Sequence, residues 1–423
     1  MVTHQLKLMQ PAKPRLGVYL RPGRNDHTTF LKLLAENRGF SGLVLDARHS
    51  IRHRALREAL IENGIHGVLD PDFMEASTPG GRVLSGLDQL PWSAFAEATP
   101  SDLKGRVGTA LADSIADAVQ EGEFSAVLAP THFLESADDA FFGADRVVAR
   151  KLRLALDRRG LVETCVFYPL GMRAEVLRST TQRAIVVDGL RSVDVDGVWL
   201  RLHPFGTSSA GSIALRRYLD VAWDLQRMAI PLVGEHTGTV GLALMAFGGL
   251  GGVESGITFG ERFDATALTK VKPANGTPFS PPPRVYLHEI GAFADRKVAA
   301  RIFQNRLLTA ALACRDSTCC RGGAPAMLRD PRRHFVIRRL AEVDRIGSVP
   351  PAARATVYLH DILQPAALLA VRVARAAPEL DTAQRRLEAW HQTLEGIGST
   401  ALPEPMAAVG YRLGVSRPKP QSL

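Results

Sequence analysis

The stretch GLVLDARHSIRHRALREALIENGIHGVLDPD, residues 42–72, decides how this chain is read. Residues 42–47 form an apolar run in which Asp46 directly follows GLVL. Residues 51–64 are amphipathic and close on a glycine, as helices often do. Residues 67–72 are a second apolar run with acids at its end. Nearly continuous apolar runs suit strands buried on both faces of a parallel sheet, and a helix between them provides the crossover.

The same unit recurs in both directions. Further apolar runs lie at 16–20, 125–130, 165–170, 197–203, 231–236 and 252–257, making eight in all. Amphipathic helices are expected at 144–160 and 212–228, among others, and the 73–123 connection is long enough to carry an insertion. Eight strand–helix units in about 250 residues fit a (β/α)8 barrel of the TIM type. An open doubly wound sheet is the rival, but no run leads into a G-x-G-x-x-G turn. The texture changes after the eighth run, with a Pro/Gly-rich segment at 271–284 and an extra strand near 285–293. One long helix is expected over 294–313, then helices near 332–347, 353–377 and 380–396. The expected layout is a barrel over 1–270, a basic zinc-binding insertion with helices over 271–349, and a C-terminal helical region over 350–423.

Lys and Arg number 52 against 43 Asp and Glu, a net charge of +9 in 423 residues. That balance favours anionic partners: nucleic acid, phosphorylated metabolites or, less so, a membrane surface. No apolar run reaches the roughly 18–20 residues of a membrane helix, and residues 1–15 lack a hydrophobic signal core. The expectation is a cytoplasmic protein with no membrane partner; self-association is left open.

Three of the four cysteines, Cys314, Cys319 and Cys320, fall in the polar loop CRDSTCCRGG. With His334 they read C-x4-C-C-x13-H, a donor set for structural Zn2+. Gly322 and Gly323 allow the sharp turn that adjacent ligands need, and Arg315 and Arg321 would favour thiolates. Small packed thiols and a redox pair remain alternatives. Cys165 lies in an apolar run and belongs to the core.

Strand ends build the active site of such a barrel. The positions there are Arg21, Asp46, Arg48, His49, Asp70, Asp72, His132, Arg201, His203, Glu235, His236, Glu254 and Glu261. Asp46 and the Glu235–His236 pair stand out as acid–base candidates. Arg201 and His203 alternate on one strand and so share a side. The stretch 247–252, FGGLGG, offers backbone N–H groups to a ligand, or makes a helix-to-strand turn.

Four segments resemble the tRNA-guanine transglycosylase superfamily, in the same order. LAPTHFL (128–134) is similar to its L-x-N-T-Y-H-L segment, GGL (248–250) to its base-binding loop and FDATALTK (263–270) to its F-D-x-x-x-P-T-R nucleophile segment. Cys314, Cys319, Cys320 and His334 stand in the place of its zinc site. The resemblance implies a barrel with a zinc subdomain that exchanges a base in tRNA through a covalent aspartate intermediate. Asp264 would be the nucleophile, and Gly248, Gly249 and Leu250 would contact the base. The family's D-S-G-G-F-Q segment is replaced by ESADDAFFG, which leaves Asp46 or Asp138 as stand-ins for the second acid. The gap between GGL and FD is short, and Leu268 stands where the family has proline. Phe133, Phe205 and Phe259 are candidates for stacking on a flipped base. Residues 295–345 hold 12 Lys/Arg against 5 Asp/Glu, a net +7 that suits phosphate contacts. Two other functions compete: a barrel enzyme acting on a small phosphorylated metabolite through Asp46, Arg201, His203, Glu235 and His236, and a non-catalytic nucleic-acid-binding relative.

Overall fold

The computed structural model describes residues 15–38, 40–78, 86–257, 261–269, 284–398 and 402–408. Eight parallel strands close into a ring: β1 (Gly17–Arg21), β2 (Gly42–Asp46), β3 (His66–Asp70), β4 (Ala126–Leu128), β5 (Cys165–Arg173), β6 (Gly197–His203), β7 (Leu232–Gly234) and β8 (Gly252–Gly256). Each pairs with the next, β4 with β5 included, and β8 returns to β1 in the register Gly17↔Gly252 to Arg21↔Gly256. All eight apolar runs therefore become barrel strands, and the open sheet is excluded.

Helices follow the strands as α1 (His27–Ala35), α2 (Arg54–Glu62), α3 (Arg106–Glu121), α4 (Ala140–Arg158), α5 (Thr180–Arg191), α6 (Ser212–Leu225) and α7 (Thr239–Ala246). The eighth place in the outer ring goes to α8 (Pro331–Ser348), which packs on β1 and against α1 and α7. Between β8 and α8 lie an antiparallel hairpin, β9 (Arg284–Leu287) with β10 (Ala292–Asp295), the cysteine loop and three short helices, the last of them Ala324–Arg329. The single helix expected over 294–313 is two, Arg296–Ile302 and Arg306–Leu312. Asn305 breaks it: its side chain accepts from the N–H groups of Leu307 and Leu308 and so caps the second piece.

Beyond α8 come α9 (Pro351–Ala376), with a π-helical turn at Tyr358–Leu363, and α10 (Asp381–Ile397). By length and mean hydropathy α9 could cross a membrane. It carries Asp361 and Arg372 within its length and packs against α10. The stretch reads as interrupted in sequence because those charges divide its apolar residues. The Pro/Gly-rich segment 271–283, Phe259 and residues 409–423 lie outside the described residues.

The strand period of two sets what fills the barrel. Tyr19, Val44, Val68, Trp199 and Val233 point inward and pack with Ala126, Leu128, Cys165 and Phe167. That apolar layer is sealed from below by residues 402–408: Ala408 N donates to Gly251 O at 3.1 Å and Tyr19 Oη to Ala408 O at 3.2 Å. Two residues further along each inward face stand Arg21, Asp46, Asp70, Arg201 and Glu235. A charged layer thus sits on an apolar one at the C-terminal end of the barrel.

Candidate active site at the barrel mouth

Arg21, at the end of β1, ties the charged layer together. Its Nη1 bonds Asp46 Oδ1 at 2.5 Å and Asp70 Oδ2 at 2.7 Å, its Nη2 bonds Glu235 Oε1 at 2.7 Å, and its Nε bonds Glu254 Oε1 at 3.0 Å. Arg201 adds Glu235 at 2.5 Å, Asp70 at 3.3 Å and Glu75 at 3.5 Å. Arg48 bridges Asp46 at 3.0 Å and Asp72 at 3.6 Å. Six carboxylates thus surround three guanidiniums, and Glu235 and Glu254 have no exposed side-chain surface.

Such a cluster divides its proton affinities. Burial alone would raise the Glu235 carboxyl, but the Arg201 and Arg21 guanidiniums overcome it and hold it at about 2. Asp46 is likewise buried yet held below the usual carboxylate range by Arg21 and Arg48. Asp72 goes the other way: burial and the neighbouring Asp46 charge push it well up, and Arg48 offsets this only in part. Asp46 is therefore an ion-pair partner, and Asp72 is the carboxyl suited to hold a proton.

Asp264 reaches the same end of the barrel by another route. Arg262–Phe263 pairs antiparallel with Phe205–Gly206, just beyond β6, and Asp264 caps the short turn that follows. Its Oδ1 accepts from Thr266 N at 3.1 Å and Thr266 Oγ1 at 2.7 Å, and Arg262 Nη2 lies 3.2 Å from Oδ2. The Thr266 bonds lead in holding it below its ordinary value, against its modest burial. It is 30% exposed, unlike the floor of the mouth.

His203 stands next to it. Its Nδ1 accepts the Ala265 N–H at 2.9 Å, so that nitrogen carries no proton and Nε2 does. Burial lowers its affinity for a second proton, although the Asp264 charge works the other way. Two acceptors face each other across the 3.6 Å between Nδ1 and Asp264 Oδ1, so that contact is proximity and not a hydrogen bond. Phe263 roofs the layer, with the Arg201 Cζ 5.7 Å from its ring centre and His236 parallel to it at 6.2 Å. Glu254 Oε2 accepts from His236 N at 2.9 Å, and Glu235, His236 and Glu254 are close enough to share a cation.

The structure thus brings Asp46, Arg201, His203, Glu235, His236 and Asp264 to one end. His132 lies at its edge but faces outward, with Nδ1 2.7 Å from Asp145 Oδ1 and its ring stacked on Phe141 at 4.0 Å. Asp138 is on the outer surface beside α4 and does not join the network. Gly248, Gly249 and Leu250 do not reach the mouth. They form the turn from α7 into β8, at the opposite end of the barrel. Gly248 has φ +71°, and a Cβ there would meet Pro403 O at 2.0 Å. The helix-to-strand turn is what this motif makes. Phe205 packs on Tyr218 at 4.3 Å in the core, whereas Phe133 lies 6.1 Å from the His203 ring. Glu75, Arg262 and Asp145 were not singled out from the sequence, since none of them ends an apolar run.

The sulfurs of Cys314, Cys319 and Cys320 and a ring nitrogen of His334 gather within 4.8 Å of one another, all buried. Asp316 shapes the loop: its carboxylate accepts from Thr318 N and Cys319 N, and its carbonyl from Cys320 N at 2.7 Å. Gly322 and Gly323 take φ of +102° and +66° to turn the chain away. Tetrahedral coordination with metal–sulfur bonds of about 2.3 Å requires sulfurs about 3.8 Å apart. Cys319 and Cys320 Sγ are 3.8 Å apart, and His334 Nδ1 lies 3.4 and 3.3 Å from them. His334 Nε2 donates to Tyr286 O at 3.0 Å, which leaves the Nδ1 lone pair facing the sulfurs. Burial holds His334 neutral, at about 3, and the adjacent Cys320 and burial push the Cys319 thiol up. This donor set can hold a metal ion, whose binding displaces the thiol protons. Arg338 works against the rise that burial gives the Cys314 thiol, Arg333 is bonded to Cys319 O, and Arg315 is bonded to Ala310 O.

No family model matches the sequence, and no curated protein matches it. Among solved structures, native xylanase 10B from Thermotoga maritima is similar over 57% of this chain and 82% of that one, with 11% identity and a TM-score of 0.36.

Proposed function

We propose that this chain is a base-exchanging glycosyltransferase acting on nucleic acid, tRNA in the first instance, with Asp264 as the nucleophile. The observation that supports this reading best is the setting of Asp264: an ionised, partly exposed carboxylate at the barrel mouth, fixed by Thr266 and Arg262 beside a neutral histidine. It attacks the anomeric carbon, and the carbon–nitrogen bond to the base breaks with its electron pair leaving on the base. His203 Nε2–H offers a hydrogen bond to the departing ring, and Asp72 supplies the proton. An incoming base gives its ring N–H proton to the Asp72 carboxylate, attacks the same carbon, breaks the ester and restores the Asp264 carboxylate.

The base pocket in this reading is at the mouth, roofed by Phe263 and flanked by Phe133, and not at Gly248–Leu250. The Cys3His group is a structural Zn2+ site: three cysteines and a histidine close the coordination shell and leave no position for substrate. A small phosphorylated metabolite on the barrel floor is less well supported, because Arg21, Arg48 and Arg201 are already matched to carboxylates. The test is incorporation of labelled guanine into an unmodified tRNA pool. Wild-type protein should incorporate it and Asp264→Ala should not. Equal incorporation by both removes the nucleophile assignment. Tight tRNA binding without incorporation by either favours the non-catalytic reading.

A further inference from the structure

A cavity of about 400 Å³ opens beside the mouth. That volume lies within the range of small-ligand pockets, about 300–1,000 Å³. Its walls come from three places: Thr207 with Glu261 and Arg262 at the mouth, Arg284 from the β9–β10 hairpin, and Glu379 and Arg386 at the start of α10. The two inner arginines lie on aromatic rings, Arg284 Cζ 4.8 Å from the centre of Phe293 and Arg386 Cζ 5.5 Å from that of Trp390. A guanidinium laid on a ring keeps its N–H edge for a planar oxyanion. Arg386 Nε is buried and has no hydrogen-bond partner among the described residues.

The two glutamates in the wall are matched from outside it. Glu261 bonds Arg339 of α8 at 2.9 Å, and Glu379 bonds Arg301 at 2.7 Å. Burial works against the charge on both Arg284 and Arg386; Glu261 relieves each in part, and Asp295 also relieves Arg284. Of the three arginines on the wall, Arg262 is exposed and meets Asp264, and Arg284 has Glu261 and Asp295 near it, so Arg386, with its buried Nε unpartnered among the described residues, is the charge that an entering anion would compensate most. Arg262 joins this cavity to the mouth, since it lines the wall and its Nη2 is 3.2 Å from Asp264 Oδ2.

We propose that this cavity is a phosphate subsite that seats a backbone phosphate of the nucleic acid while the adjoining nucleotide meets Asp264; the inference rests on the function proposed above. It places the polyanion across the mouth and toward α10, away from the acidic floor of the barrel.

The test uses the full chain and two probes. Inorganic phosphate, added at constant ionic strength with chloride as reference, should raise the melting temperature of wild-type protein by about 2 °C or more at saturation. Arg284→Gln/Arg386→Gln should lose that rise. Arg386→Lys should keep part of it, and Arg385→Gln, an exposed neighbour paired to Asp381, should keep all of it. In parallel, the salt dependence of binding to unmodified tRNA should flatten by about one unit of slope for each arginine removed. A phosphate effect that survives in the double variant overturns the subsite, as does tRNA binding whose slope the double variant leaves unchanged. Phosphate binding that needs both arginines, with no tRNA binding at all, overturns instead the nucleic-acid source of the phosphate and the functional reading beneath it.

Discussion

Replacing Arg21 by methionine should cost stability in a way that depends on pH. Among the described residues, Arg21 is the one cation touching Asp46, Asp70, Glu235 and Glu254 together. Without it Asp46 keeps Arg48 and Glu235 keeps Arg201, but Glu254 loses its arginine and, among the described residues, keeps the contacts with His236 alone. Stranding one buried carboxylate costs about 3–5 kcal/mol. The wild-type charges point the same way, because Arg201 and Arg21 hold the Glu235 carboxyl below its ordinary value against the effect of burial. A carboxyl depressed in the folded state stabilises above its unfolded pKa, and that contribution fades as pH falls through the folded value. The gap between wild type and Arg21→Met should therefore be full at pH 7 and narrow between pH 4.5 and about 2. Urea titrations followed by tryptophan fluorescence at pH 7, 5 and 3 measure it. A gap below about 1 kcal/mol at pH 7, or one that stays constant down to pH 3, would refute the description of this layer as a mutually supporting ion network.

Other expectations concern the mouth, the turn below it and the metal group. His203→Gln should lower exchange by about 10²–10⁴-fold. It should also remove an acid limb of the pH–rate profile lying below 6.5, since protonating Nδ1 breaks the bond it accepts from Ala265 N beside Asp264, and burial disfavours that protonation. Gly248→Ala should destabilise the fold by about 1–3 kcal/mol while leaving kcat and KM unchanged, because the strain is at the far end of the barrel. Changed kinetics there would revive a base-binding role for the loop. Cys319→Ser should abolish stoichiometric zinc in the purified protein and lower its melting temperature; wild-type protein that is folded and metal-free by elemental analysis would remove the zinc assignment.

The barrel was legible because a strand covered on both faces must be apolar along its whole length, as at Gly42–Asp46 and Gly197–His203. The charged layer was legible in part. An inward residue such as Val44 or Trp199 marks the residue two further on, so Asp46 and Arg201 could be placed in the mouth together. Which carboxyl would hold a proton was not legible, since Asp46 and Asp72 differ only in the guanidiniums that folding brings to them. The break at Asn305 hid in an alanine- and arginine-rich stretch with strong helix propensity, where one capping side chain overrode the pattern. A glycine-rich string reads alike as a ligand cradle or a turn, and the resemblance alone favours the cradle for Gly248–Leu250, at the end of the barrel away from the mouth. Their position just before β8 carries the distinction, as helix-to-strand turns in a barrel lie opposite the active-site face. The cysteine loop was readable from composition, but Arg333 and Arg338, which folding brings to it from α8, were not.

The proposed chemistry requires a covalent ester between Asp264 and a nucleotide. Intact-mass analysis of protein quenched during incubation with unmodified tRNA and free guanine, followed by nuclease and peptide mapping, tests that requirement directly. A nucleotide adduct on the peptide containing Asp264, absent from Asp264→Asn, is the expected result. An adduct on another residue, or exchange that proceeds in Asp264→Asn, would contradict it.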